Sequence, residues 1–373
     1  MSARRPLEEI PKTGSRYPGH VDIPRMREGH LGAAIFSVWT PCPETQLNNF
    51  DRPSNDVRDA FEVLDLIQNF IDQQFDHLQF ARSSGDIRRA FDDGKIASLI
   101  GVEGTHFLGN SLSTVRLLAK MGMRYMTLTH ICHSAFASSN GAGGKMRSVH
   151  PGNGLTDLGR ELIYELNRLG VMIDLSHTSD ETATQTVALS AAPVVWTHSG
   201  SRTVMDHPRN IPDVILKSIG DGPGKNAGVI QSVFYPPFIG PTSETANLSR
   251  VADHIEYVAA IVGRKHVGIA SDFDGMYSSV IGLEDASKYP YLVAEMLSRG
   301  WTDEQVKNLM GRNILRVMDE VDTVREAMQD KLASTAVWEG RKDLPARWGG
   351  AGDAYFPYEV KAKQGEIFAH DEL

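Results

Sequence analysis

Two histidines occupy matching places in the chain. His177 follows the apolar run 171–175 and His198 follows the apolar run 193–196, and the intervening 180–192 is long and polar enough to be a helix with its loops. The arrangement reads as strand–helix–strand, with an imidazole just past the C-terminal end of each strand. In parallel α/β folds that edge carries the chemistry, because loops leave the sheet there and side chains converge. Two neutral imidazoles on one rim suit a transition metal, zinc above all. The alternative is that one histidine caps a loop and the other fills a polar gap.

Further strand ends add to the pair. Glu103 closes the apolar run 96–102, and a carboxylate can bridge two divalent ions in a hydrolytic two-metal site. A strand-end Glu followed by Gly is, taken alone, more often a satisfied loop residue; the joint pattern favours the ligand. Asp272 follows the run 266–270, where a general acid/base reaches a metal-activated water. Asp274 competes with it. In an extended segment the two point the same way, so only position at the strand end favours Asp272. His130 can donate to a developing oxyanion or serve as a core histidine. Arg209, in Pro208-Arg209-Asn210-Ile211-Pro212-Asp213, suits fork-like recognition of a substrate carboxylate, although a surface ion pair is the commoner fate of a loop arginine. His20, His30, His106, His133, His150 and His207 read as structural or exposed.

These side chains need a frame. Seven strands are expected, at 32–39, 96–102, 125–129, 171–175, 193–196, 227–234 and 266–270. Helical spacing marks 56–75, 113–122, a helix opened by Thr156, and 249–262. Thr302 and Gln305 form a capping box before a helix expected to run to about Val321. The Gly/Ser-rich stretch 134–154 is long enough for an active-site excursion. Strands alternating with helices imply a parallel sheet with right-handed crossovers. Five strands end in Glu103, His130, His177, His198 and Asp272. An open doubly wound sheet gathers its ligand at one switch point, whereas a closed (β/α)8 TIM-type barrel lines many strand ends. Seven strands are one short of that barrel.

The totals exclude several classes. A chain of 373 residues, 41% apolar and 23% charged, has an ordinary globular composition. A net charge of −9 argues against a nucleic-acid surface. No apolar run approaches the ~20 residues that span a bilayer, and neither a secretory nor a GPI-anchor signal is expected. Two cysteines make no disulfide framework. The expected location is cytoplasmic. The terminal His370-Asp371-Glu372-Leu373 spells an ER-retention tetrapeptide, read as chance unless the N-terminus is incomplete.

At these residues the sequence resembles the membrane (renal-type) dipeptidase family of zinc metallopeptidases, within the amidohydrolase-type barrels. The stretches that carry the resemblance are HVDIPRMREGHLGA, FSVWTPC, GVEGTHFLGNSLSTVRLLAKMGMRYMTLTHICH, ELNRLGVMIDLSHTS, APVVWTHSGSR, RNIPD, HVGIASDFDG and GLEDASKYP, over roughly residues 20–320. The resemblance implies a dipeptidase with two zinc ions. Glu103 would be the bridging ligand, and His177 and His198 would hold the second zinc. His130 would sit on the scissile carbonyl, Arg209 on the substrate's terminal carboxylate, and Asp272 would shuttle the proton. It also implies a homodimer, and a Cys42–Cys132 disulfide in secreted members; in a reducing compartment the two should be close but free.

One departure bears on the metal. The family's first strand ends in a His-x-Asp pair that ligates the first zinc, and the residues before HVDIPR contain nothing like it. His20-x-Asp22 is a decoy, since it belongs to the segment leading into the family's second strand. Either the N-terminus is truncated or mis-spliced, or the first site is lost and a single zinc remains. The expected organisation is an irregular arm over 1–19, a metal-dependent hydrolase barrel over 20–335 and a packed tail over 336–373. The expected activity is zinc-dependent hydrolysis of dipeptides with a free C-terminal carboxylate. The alternatives are a dipeptidase tailored to a Cys-Gly conjugate in a biosynthetic pathway, and a homologue that binds without turnover.

Overall fold

The apolar runs do become strands. The computed structural model describes residues 19–42, 55–141 and 153–338. Its strands are β1 (Ala33–Val38), β2 (Leu78–Phe80), β3 (Ile96–Glu103), β4 (Met123–Thr127), β5 (Met172–Asp174), β6 (Val194–Ser199), β7 (Val229–Ser232) and β8 (Val267–Ile269). Every strand pairing is parallel, and seven of the strands follow one curled path, β1-β3-β4-β5-β6-β7-β8. This is a TIM-type α/β barrel with one strand's place open. Among the described residues, no strand joins the outer edge of β1 to that of β8.

All seven expected strands are present, shifted by a few residues at their ends. β2 is an addition to them. It pairs Leu78 with Ile96 at the start of β3, and three residues are too few to show an alternation in sequence. β3 and β4 are buried nearly throughout, as expected of parallel strands covered on both faces. β1, with an unpaired edge, leaves Ile35 39% exposed, as is Trp39 just beyond its end.

The helices pack the outer face. Asp56–Gln73 buries Leu64, Ile67, Phe70 and Ile71 of the apolar residues at helical spacing, together with Ala60 and Val63, while Val57 and Phe61 are half-buried. Thr156 caps Asp157–Leu169 by accepting from Gly159 N, and Gly170 ends that helix in the left-handed region at φ 69°. The Thr302/Gln305 capping box forms, but the single helix expected after it does not. Asp303–Lys307 runs into a π-helical turn, Asn308–Arg312, with Gly311 non-helical, before Asn313–Ala327 resumes. Ser84–Asp92 and Tyr289–Ser298 are further helices. The first buries only Ser84 and Ala90, which leaves little apolar period to find. The 134–154 stretch and the terminal arm and tail fall partly or wholly outside the described residues. Among those residues no helix is long and apolar enough to cross a membrane.

Gly159 shows how tightly the loop after β4 is pressed on this shell. A Cβ there would stand 1.9 Å from the Phe136 carbonyl oxygen. Propensity alone would make alanine stabilising by about 1 kcal/mol, but overpacking against backbone costs about 1–3 kcal/mol. Gly159→Ala should therefore lower stability, read as a reduced urea midpoint with an unchanged slope; an equal or higher midpoint would contradict the packing.

Candidate metal centre

Parallel strands deliver their C-terminal ends to one rim, and the acidic and imidazole side chains meet there. Glu103 ends β3, His177 follows β5 and His198 lies within β6. Glu103 Oε1 is 3.3 Å from His177 Nε2 and 3.3 Å from His198 Nε2, and the two Nε2 atoms are 2.9 Å apart. Ligands at ~2.0–2.1 Å around a tetrahedral ion stand about 3.3–3.4 Å from one another. The three donors thus fit one ion after a small outward movement of the rings. His130 and Asp272 border the cluster: ligand-type atoms of Glu103, His130 and His177 lie within 4.8 Å of one another, as do those of Glu103, His198 and Asp272.

Burial sets the protonation of these groups. His177 and His198 are held well below the ordinary histidine range, first by desolvation, so both rings are neutral at neutral pH and each has one nitrogen lone pair to offer. His130 is also lowered, mainly by burial. Asp272 is pushed well above the carboxylate range, by burial first and then by the nearby Glu103 charge, with Arg209 opposing.

The backbone pays out this convergence in unusual conformations. His177 (φ 67°), Asp272 (φ 64°) and Asp274 (φ 63°) are all left-handed, which costs a non-glycine residue and clusters at functional sites. The expectation that 272–274 is extended is therefore wrong, and the two carboxylates part company. Asp272 turns to the cluster. Asp274 accepts from His20 N at 2.6 Å and lies 3.3 Å from His20 Nδ1. Gly104 is likewise required: at φ 100°, a Cβ would lie 2.7 Å from His106 Nδ1 and 3.2 Å from His130 Cβ.

Arg209 is buried rather than paired at the surface, at 3% exposure. Its guanidinium lies over the Phe238 ring at 5.1 Å and donates through Nη2 to the His198 carbonyl at 3.4 Å. Its Nε and Nη1 have no partner, and it forms no ion pair among the described residues. Burial lowers it to about 10, so it stays charged. A buried cation with two unused donors calls for an anion.

His20-x-Asp22 takes no part in the cluster. Asp22 caps the helix Ile23–Glu28 and pairs with Arg25 at 3.0 Å, while His20 stacks on Phe273. His106, expected to be structural or exposed, is buried beside the site, its centroid 6.3 Å from that of His130 and its Nε2 bonded to the Thr40 carbonyl at 2.9 Å. Cys42 and Cys132 are joined as a disulfide, which ties the exit of β1, where Trp39 meets His130 edge-on at 5.5 Å, to the loop after β4. His150 lies outside the described residues.

Asp174 and Thr197 went unnoticed in the sequence. Asp174 is wholly buried and accepts from Thr127 Oγ1, Thr197 Oγ1, Ser176 N and Thr197 N at 2.6–3.0 Å. Burial raises its carboxyl, and those four bonds oppose the rise. An aspartate inside an apolar strand run was the available signal.

Desolvation also lowers His106 to about 4. In a histidine NMR titration its ring should remain neutral from pH 8 down to about pH 5; protonation near the ordinary value of about 6.5 would contradict its burial.

Comparison with known proteins places the chain among dipeptidases. A family model described as membrane dipeptidase (peptidase family M19) matches residues 6–332. Dipeptidase verJ of Clonostachys rogersoniana is 39% identical over 315 residues, covering 83% of this chain and 78% of its own. Dipeptidase tcpJ of Claviceps purpurea (strain 20.1) is 38% identical, covering 84% and 72%. Among solved structures, a metallopeptidase from Rhodobacter sphaeroides, liganded with a phosphinate mimic of the dipeptide L-Ala-D-Ala, superposes with TM-score 0.71 at 25% identity, covering 84% of this chain and 93% of that one.

Proposed function

Since the chain belongs to the membrane dipeptidase family of metallopeptidases, we propose that it is a zinc-dependent dipeptidase that requires a free C-terminal carboxylate on its substrate. The observation that carries this reading is the juxtaposition of a three-donor cluster with a buried, unpaired guanidinium. Glu103, His177 and His198 would hold the zinc. When bound, the ion supplies a Lewis acid that polarises a carbonyl and makes water acidic near neutral pH. Among the described residues no His-x-Asp pair stands ready for a further ion, because His20 and Asp22 are engaged elsewhere.

The chain's own groups supply the remainder. Arg209 Nε and Nη1 would grip the substrate carboxylate and so fix the scissile bond one residue away. That ruler selects dipeptides. His130, neutral because it is buried, has one ring N–H to offer the oxygen that gains charge as the carbonyl carbon is attacked. Asp272, whose carboxyl is raised toward neutrality, would take the proton from the attacking water and deliver it to the leaving amine. The disulfide and the His106–Thr40 bond would hold the wall on which His130 is positioned.

Zinc analysis combined with hydrolysis assays tests the reading. At least one zinc per chain is expected, along with cleavage of unblocked dipeptides and loss of cleavage when the terminal carboxylate is amidated. Zinc binding without turnover of any substrate would indicate a homologue that binds only. Turnover confined to S-substituted Cys-Gly conjugates, with simple dipeptides ignored, would indicate a tailored enzyme. Arg209→Ala should raise KM for dipeptides by about 30-fold or more, following the roughly 2–5 kcal/mol cost of truncating a buried charge pair. Unchanged KM would remove Arg209 from substrate recognition. Chelation should lower the melting temperature and added zinc restore it, because a ligand that binds only the folded state stabilises it.

A further inference from the structure

We propose that Asp174 and Thr197 are positioning residues that lock the tautomer of His198, so that its Nε2 presents a lone pair to the zinc. The inference rests on the reading of His198 as a ligand. It follows from counting hydrogens along a chain of hydroxyls. Asp174 Oδ1 is occupied by two backbone donors, Ser176 N at 3.0 Å and Thr197 N at 2.9 Å. Its Oδ2 faces two hydroxyls, Thr127 Oγ1 at 2.6 Å and Thr197 Oγ1 at 2.7 Å.

Thr197 has a single hydroxyl hydrogen. Its alternatives are Asp174 Oδ2 at 2.7 Å, Ser176 Oγ at 3.4 Å and His198 Nδ1 at 2.9 Å. The carboxylate is the closest of the three and the strongest acceptor. With the hydrogen given to Asp174, the Thr197 oxygen has only lone pairs to turn toward His198, so Nδ1 must carry the ring proton. Ser176 closes the network: its oxygen accepts from His198 N at 3.1 Å, which leaves its own hydrogen for Thr197. The result is a carboxylate–hydroxyl–imidazole relay in place of a direct carboxylate–imidazole bond. Such partners behind a ligand orient the ring and raise its basicity. His177 is held differently. Its Nδ1 has no partner, and its placement comes from the backbone, whose carbonyl accepts from Asn140 N at 3.0 Å and Ser139 Oγ at 3.2 Å. Of the two imidazoles, only His198 has its outer nitrogen in a side-chain network.

The test compares Thr197→Val, which keeps the shape and removes the hydroxyl, with Thr197→Ser, which restores it. Zinc affinity is measured by competition with a chromophoric chelator, and the His198 tautomer by 15N NMR of the zinc-free full chain. Thr197→Val should weaken zinc binding about 10–100-fold, the usual range for losing such a partner, and the His198 signals should shift toward a tautomer mixture. Thr197→Ser should restore both. Asp174→Asn, with one acceptor oxygen in place of two, should weaken zinc binding in the same way. Wild-type affinity in Thr197→Val, or equal weakening in the Val and Ser variants, would overturn the relay. A wild-type chain that binds no zinc, or binds it equally well as His198→Ala, would overturn the metal centre itself and the relay with it.

Discussion

Glu103 Oε1 and the Nε2 atoms of His177 and His198 stand within 3.3 Å of each other at a place where the two imidazoles are buried. Three electron-rich atoms so placed repel unless a proton or a cation sits among them. Desolvation keeps both rings neutral, so each has one nitrogen lone pair to offer, and a divalent ion at the centre would satisfy all three atoms at once. The rest of the structure holds the groups against that repulsion. β3, β5 and β6 set them on one rim, and the left-handed turn at His177 aims one ring inward.

The same logic extends to the charges around the cluster. Arg209, buried without a carboxylate partner, is costly in an empty site and useful in an occupied one. Asp272 and Arg209 feel each other's charge, each opposing the shift that burial imposes on the other. On the proposed reading, a substrate carboxylate arriving at Arg209 would remove part of that counter-charge from Asp272 and favour its protonated form. Binding and proton transfer would then be electrostatically linked through one buried guanidinium.

The curled sheet supplies the frame for this chemistry with its ends apart. β1 and β8 each keep an outer edge without a strand among the described residues, and the segment His20–Gly29 lies against 285–288 near that side: Ala286 N donates to the His20 carbonyl, and a Cβ on Gly29 would stand 1.8 Å from Ala286 O. Thus His20 and Asp22 serve packing and capping. A motif whose residue types and spacing suit a metal is used here to fasten the chain after β8 to the chain before β1.

By itself the sequence determined the things that depend on near neighbours and on pattern. The apolar runs predicted seven parallel strands; the caps at Thr156 and Thr302 marked helix starts; the polar residue ending a strand identified Glu103, His130, His177, His198 and Asp272. Each of these is a local signal, because a strand's direction fixes which end of it reaches the rim. Tertiary structure decided whatever turns on distance or on a backbone angle. The choice between Asp272 and Asp274 was made by left-handed turns, and the burial of Arg209 by the loops that enclose it. The break at Gly311, the three-residue β2, the place of His106 and the Asp174–Thr197 network likewise had no periodic trace. Burial of a charge and the direction of a hydrogen bond are set by atoms far apart in the chain, and only folding brings those atoms together.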